Sequence, residues 1–126
     1  MEPLSQKKIL IIDDEPLTQK TIAAFLKKEF QTFSCPSGPQ AFALLEKERV
    51  DLILLDIMMP AMDGYEVLRK LRALPATLNT PVIICTALNQ PEDVLRAINS
   101  GAQNYLIKPF SKKSLMEKLE QVMGTS

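Results

Sequence analysis

A chain of 126 residues, 46% of them hydrophobic, is long enough to bury one core and too short for two. Fifteen Lys and Arg balance fifteen Asp and Glu, so the basic excess that binding to a nucleic-acid backbone requires is missing, and no direct nucleic-acid contact is expected. Histidine is absent, which excludes imidazole-ligated metals, Ser-His-Asp and Cys-His catalysis, and a phosphohistidine carried by this chain itself.

In chain order, the first predicted strand is Ile9 to Ile12, ending in Asp13 and Asp14, and Pro16 suits the first turn of the helix that follows. That helix carries Ile22, Phe25, Leu26 and Phe30 at helical spacing. A weaker strand, Gln31 to Cys35, ends in a turn containing Pro36, Gly38 and Pro39, and Ala41, Leu44 and Leu45 mark the second helix. The third strand, Leu52 to Leu55, delivers Asp56. Asp63 with Glu66 has the spacing of a capping box before the apolar face of Val67, Leu68 and Leu71.

The stretch from Pro75 to Pro81 carries no evident chemistry and reads as a solvated connector. After it come a fourth strand, Val82 to Cys85, with Thr86 at its end, and a helix opened by Pro91, lined by Val94, Ala97 and Ile98 and closed by Gly101. The fifth strand, Tyr105 to Ile107, runs into Lys108 and Pro109. Ser111 then caps a last helix with Leu115, Leu119, Val122 and Met123 inward.

Continuous apolar runs suit strands buried on both faces, and strands alternating with helices imply an α/β, doubly wound, five-stranded parallel sheet with helices on both sides. No apolar run approaches the ~20 residues that span a bilayer, and no signal-peptide pattern opens the chain, so a soluble, cytoplasmic protein with no membrane insertion is expected. Cys35 and Cys85 lie far apart in apolar stretches and are expected to be buried free thiols.

Open α/β sheets bind ligands beyond the carboxyl ends of their strands. Here those ends deliver Asp13, Asp14, Asp56, Thr86 and Lys108 to one rim. Three carboxylates in one pocket repel one another unless a cation sits among them, and Mg2+ (or Mn2+) suits an all-oxygen set without imidazole or thiolate. Asp after a strand is often only a helix cap, which explains any one of these residues but not the set. A carboxylate can attack phosphorus to form an acyl phosphate when the transferring group's charge is neutralised, and Asp56 is the central candidate for that role. Lys108 would pair with one phosphoryl oxygen and the Thr86 hydroxyl would donate to another.

These residues resemble the receiver domains of response regulators, the CheY-like superfamily of two-component signalling. The resemblance rests on ILIIDDE (9–15), DLILLDIMMPAMDGYEVL (51–68), PVIICTA (81–87) and GAQNYLIKPF (101–110), in this order and spacing. It implies a flavodoxin-like (βα)5 fold with strand order 2-1-3-4-5 and a single receiver domain over residues 1–126. It further implies that Asp56 takes phosphate from the phosphohistidine of a histidine kinase or histidine phosphotransfer protein. Asp13, Asp14, Asp56 and the backbone carbonyl of Met58 would hold the metal, and the backbone of Ala87 would meet the phosphoryl group.

Thr86 and Tyr105 are the implied switch, with Tyr105 turning inward as Thr86 shifts and changing the face of helix 4, strand 5 and helix 5 that a downstream protein target reads. From the residues alone, Tyr105 equally suits static packing. A cis peptide is implied between Lys108 and Pro109. The expected chemistry is confined to the chain's own phosphoryl uptake and slow self-dephosphorylation, since Met58 and Leu88, which in the family flank the route of hydrolytic water, are both apolar. Pro36 and Pro39 in the second βα loop, and Asn104 in place of an acidic residue, depart from the family pattern.

Three other readings are weaker. A haloacid-dehalogenase-like aspartyl-phosphate phosphatase would have its nucleophile on strand one followed by Asp and Thr, whereas Asp13-Asp14-Glu15-Pro16 lacks that spacing. A receiver-like interaction module not regulated by phosphorylation would normally have lost one of the five polar positions. A flavodoxin-like cofactor binder needs a Gly/Ser/Thr-rich phosphate loop where this chain has two carboxylates.

Overall fold

The computed structural model describes residues 7–60 and 63–124. Strands and helices alternate as β1 (Lys8–Ile12), α1 (Pro16–Leu26), β2 (Gln31–Cys35), α2 (Gly38–Leu45), β3 (Leu52–Leu55), α3 (Gly64–Ala73), β4 (Val82–Thr86), α4 (Pro91–Asn99), β5 (Asn104–Ile107) and α5 (Lys112–Met123). All pairings are parallel, and the sheet order is β2-β1-β3-β4-β5. This is the expected doubly wound sheet.

The period-2 geometry of a strand divides each central run between two cores. Leu10, Ile12, Ile53, Leu55, Val82 and Ile84 face one side, where Ala41 of α2, Val67, Leu68 and Leu71 of α3 and Ala97 of α4 cover them. Ile9, Ile11, Leu52, Leu54, Ile83 and Cys85 face the other, against Ile22 and Leu26 of α1 and Leu115 and Leu119 of α5. Each fully buried Leu or Ile contributes about 1.5–3 kcal/mol, so the central strands anchor the sheet that carries the rim. Strand β2 is at an edge and only Cys35 in it is buried, which is why its apolar signal is weak.

Element ends follow local chemistry. Pro16 and Pro91 open α1 and α4, while α2 starts one residue ahead of Pro39, at Gly38. The Ser111 hydroxyl accepts from the Ser114 amide at 3.1 Å, capping α5. Asp63 caps α3 by accepting from the Tyr65 amide at 2.9 Å, but among the described residues Glu66 does not complete a capping box. The reciprocal contact occurs at α4 instead, where the Gln90 amide donates to Asp93 Oδ2 at 3.1 Å. Gly101, at φ 110°, ends α4 in a conformation that favours glycine. Both cysteines are buried free thiols, and the Lys108–Pro109 peptide is cis.

The stretch 75–81 is largely exposed, as its composition suggests, but it is tied to the protein by specific contacts. Thr77 is buried, and its hydroxyl donates to the carbonyl of Leu71 in the last turn of α3. Arg72 donates to the carbonyls of Thr77 at 3.0 Å, Thr80 at 2.8 Å and Gly101 at 2.9 Å, and to Oε1 of Gln103 at 2.9 Å. These side-chain donors add to the turn hydrogen bonds of the Thr80 amide to Thr77 and the Leu74 amide to Leu71, and together they hold the loop to the protein.

Candidate functional site

Backbone hydrogen bonds between strand ends set the rim at the carboxyl edge. The Asp13 amide donates to the Cys35 carbonyl at 3.0 Å, the Asp56 amide to Ile12 at 3.0 Å, and the Lys108 amide to Thr86 at 2.8 Å. Asp13, Asp56 and Lys108 are therefore each fixed one position beyond a paired strand, and Thr86 is the last residue of β4.

Side-chain contacts close the site. Lys108 Nζ lies 2.7 Å from Asp13 Oδ2 and 2.9 Å from Asp56 Oδ2, bridging the two carboxylates. Their other oxygens accept backbone amides: Asp13 Oδ1 from Glu15 at 2.9 Å, and Asp56 Oδ1 from Met58 at 2.9 Å. Asp13 and Asp56 are buried whereas Asp14 is exposed, and one carboxylate oxygen from each of the three lies within 4.8 Å of the others. That set of hard oxygen donors, open to water on the Asp14 side, fits a small divalent cation.

Burial raises the Asp13 carboxyl above its usual range, although the Lys108 ammonium and the Glu15 amide pull the other way. Burial works against the Lys108 charge too, but the hydrogen bonds it donates to Asp13 and Asp56 outweigh it and its pKa is raised. The two partners shift in the same direction because desolvation dominates at the deeper Asp13, while Lys108 faces two anions.

Thr86 is fully buried, and its hydroxyl has no hydrogen-bond partner among the described residues. A buried hydroxyl left unpaired costs about 1–3 kcal/mol, so its position at the rim invites an acceptor. Ala87 follows it and is exposed. Tyr105 stands inward, 7% exposed, and its hydroxyl donates to the Leu88 carbonyl at 2.9 Å. The Met58 side chain is 53% exposed beside Asp56.

Asp13, Asp14, Asp56 and Lys108 thus meet as the sequence suggests. The supports beneath them were not legible: the Glu15 amide, and Gln19, whose side chain donates to the Asp13 carbonyl. Contacts to backbone atoms leave no residue-type signal to find.

The family model for the response regulator receiver domain matches residues 9–120. The chain belongs to this family. Receiver domains are the phosphorylation-regulated modules of two-component signalling; they act as switches, bind Mg2+ at an acidic pocket, and work with histidine kinases and downstream effectors. The chain is 36% identical over 116 residues to the response regulator PleD of Caulobacter vibrioides, covering 91% of this chain but only 26% of PleD. It thus spans about a quarter of that relative's length.

Among solved structures, chemotaxis protein CheY4 of Vibrio cholerae matches with a TM-score of 0.88 at 28% identity, covering 93% of this chain and 98% of that one. The receiver domain of sensor histidine kinase PA1611 from Pseudomonas aeruginosa, solved with magnesium coordinated in its active-site cleft, matches with a TM-score of 0.85 at 32% identity. That match covers 94% of this chain and 98% of the other. Among the described residues, no helix of this receiver is long and apolar enough to cross a membrane.

Proposed function

We propose that residues 1–126 act as one cytoplasmic receiver domain that takes a phosphoryl group from a partner's phosphohistidine onto Asp56. An Asp56 carboxylate oxygen attacks phosphorus; the P–N bond to the partner's imidazole breaks, and its electron pair returns to the ring nitrogen. Asp13, Asp14, Asp56 and the Met58 backbone carbonyl would hold Mg2+ or Mn2+, which when bound neutralises phosphoryl charge. The ammonium of Lys108 pairs with one phosphoryl oxygen, the Thr86 hydroxyl donates to another, and the Ala87 backbone amide lies next in line.

One observation carries this reading: three carboxylate oxygens gathered within 4.8 Å, two of the carboxylates bridged by one lysine. The unpartnered Thr86 hydroxyl supports it, because a phosphoryl oxygen would satisfy that donor.

The signal leaves through Thr86 and Tyr105. As Thr86 engages phosphate, the inward arrangement of Tyr105 is favoured, and the surface of α4, β5 and α5 follows. A groove there is lined by Val94, Asn104, Tyr105, Ile107, Phe110 and Lys118, and Leu95 and Ile98 stand exposed beside it. This face is the proposed docking surface for a downstream protein. Self-dephosphorylation is slow in this account, because Met58 and Leu88 cannot orient a water for attack.

The test is incubation with acetyl phosphate and Mg2+, followed by intact mass of wild type and Asp56→Asn. A single phosphoryl adduct that is lost in Asp56→Asn and on chelation is expected. No adduct, or one insensitive to both changes, would overturn the proposal.

A further inference from the structure

Tyr65 lies one residue inside α3, where the helix is pressed against the residue after the phosphate acceptor. A Cβ built on Gly64 would sit 2.2 Å from the Ile57 Cα, so only glycine allows this approach, and the Gly64 amide donates to the Ile57 carbonyl at 3.3 Å. Asp63 then fixes the Tyr65 amide. The start of α3 cannot shift independently of the Asp56–Ile57 segment.

From that fixed point the Tyr65 ring, 5% exposed, reaches α4. The Arg96 guanidinium stacks over it with 3.8 Å to the ring centroid, and the Tyr65 hydroxyl approaches the Asp93 carbonyl at 3.5 Å. Helix α4 has few other anchors: Ala97 is its only buried residue, and Leu95 and Ile98 point to solvent. Tyr65 and Tyr105 belong to one apolar cluster beneath it, against which Leu88 and the helix's own Val94 pack.

We infer that Tyr65 is a positioning residue that couples the phosphorylation site to α4 through the Arg96 stack, a route separate from Thr86 and Tyr105. The inference rests on the proposed phosphorylation of Asp56. Ile57 sits beside the acceptor, Gly64 transmits its position to α3, and the Tyr65 ring with Arg96 over it sets where α4 lies. A cation over an aromatic face that is partly withdrawn from water is strong enough to bias a two-state element. The hydroxyl contributes less than the ring, since 3.5 Å is at the limit of a hydrogen bond.

Coupling between sites is reciprocal, so the stack must alter the affinity of the acceptor site for a phosphoryl mimic. Beryllium fluoride with Mg2+ is titrated into wild type, Arg96→Ala, Tyr65→Leu, Tyr65→Phe and the Tyr65→Leu/Arg96→Ala double variant, with amide hydrogen exchange of α4 followed in parallel. Arg96 is exposed, so its truncation leaves the core intact. Arg96→Ala and Tyr65→Leu are expected to bind about three- to tenfold more weakly. The double variant should be no weaker than the worse single one, Tyr65→Phe should stay within about twofold of wild type, and α4 exchange should respond less to the mimic in the weakened variants. Unchanged affinity and an unchanged α4 response in Arg96→Ala, even with lower thermal stability, would overturn the inference and make the stack merely structural. Failure of wild type itself to bind would instead overturn the phosphorylation reading, and this inference with it.

Discussion

Two cations at opposite edges of the sheet show how one fold separates a switch from a clamp. At the carboxyl edge, the Lys108 ammonium bridges Asp13 and Asp56 at 2.7 and 2.9 Å. Near the start of β4, the guanidinium of Arg72 is spread over the carbonyls of Thr77, Thr80 and Gly101 and the Gln103 amide oxygen. Lysine is a compact point charge on a flexible stem, so it can turn from its carboxylates to a phosphoryl oxygen while the carboxylates take another cation. Arginine's planar fork is matched to several fixed, neutral acceptors at once, two of which, the Thr77 carbonyl and Gln103 Oε1, are themselves held by backbone amides. A mobile charge suits the rim where chemistry occurs, while a rigid fork suits the edge that must not move.

Removing each cation in turn gives the largest expected contrast. Lys108→Ala should slow phosphoryl uptake from acetyl phosphate by about 10²-fold, the loss typical of one preorganised charge-stabilising donor. Uptake followed by phosphate-affinity electrophoresis checks this, and a rate within twofold of wild type would show that the Lys108 charge is not used in the transfer.

Arg72→Ala should leave uptake nearly unchanged and lower unfolding free energy by about 2–4 kcal/mol, because several carbonyls lose a charged donor at once. Urea denaturation reads the effect directly. Arg72→Lys should recover only part of it, since an ammonium cannot span the same acceptors. Full recovery would show that charge rather than fork geometry holds the loop.

A smaller effect appears at high pH. Burial, followed by the nearby Asp93 charge, pushes the Tyr105 phenol up to about 12. The unfolded phenol ionises near 10, so between about 10 and 12 the unfolded state holds fewer protons than the folded one, and stability falls as pH rises. The loss attributable to Tyr105 should approach about 2 kcal/mol over that range. Its absence from the Tyr105→Phe curve, together with the loss of a late tyrosinate absorbance step, would assign the effect. Identical curves would place Tyr105 outward in solution.

The smallest change concerns the lifetime of the phosphorylated form. Met58→Asn or Leu88→Gln supplies a group able to orient water and should speed loss of the adduct by about tenfold or less. A wild-type lifetime of seconds, or no acceleration in either variant, would remove the proposed role of these apolar side chains.

Four strands were legible because buried parallel strands are continuous apolar runs, the edge strand β2 only weakly so, and the ends missed by one residue are polar: Lys8, Thr86 and Asn104. The site acids were legible for a related reason. Strand ends in an open α/β sheet point at one rim, so Asp13, Asp14, Asp56, Thr86 and Lys108 converge by topology alone.

What was not legible rests on partners without a side-chain signature. Arg72 and Thr77 bind carbonyls, which every residue carries, so their loop looked like a plain connector. Tyr65 and Arg96 sit on different helices, with no periodicity linking them. The Asp63–Glu66 spacing fits a capping box in sequence, yet Asp63 alone makes the contact.

The most direct test of the central claim is to locate the phosphoryl group on the chain. After treatment with acetyl phosphate and Mg2+, reduction with borohydride converts an aspartyl phosphate into homoserine, and peptide sequencing by mass spectrometry finds the altered residue. Homoserine is expected at position 56 and at neither Asp13 nor Asp14. Homoserine at either of those, or none anywhere in phosphorylated protein, would exclude Asp56 as the acceptor.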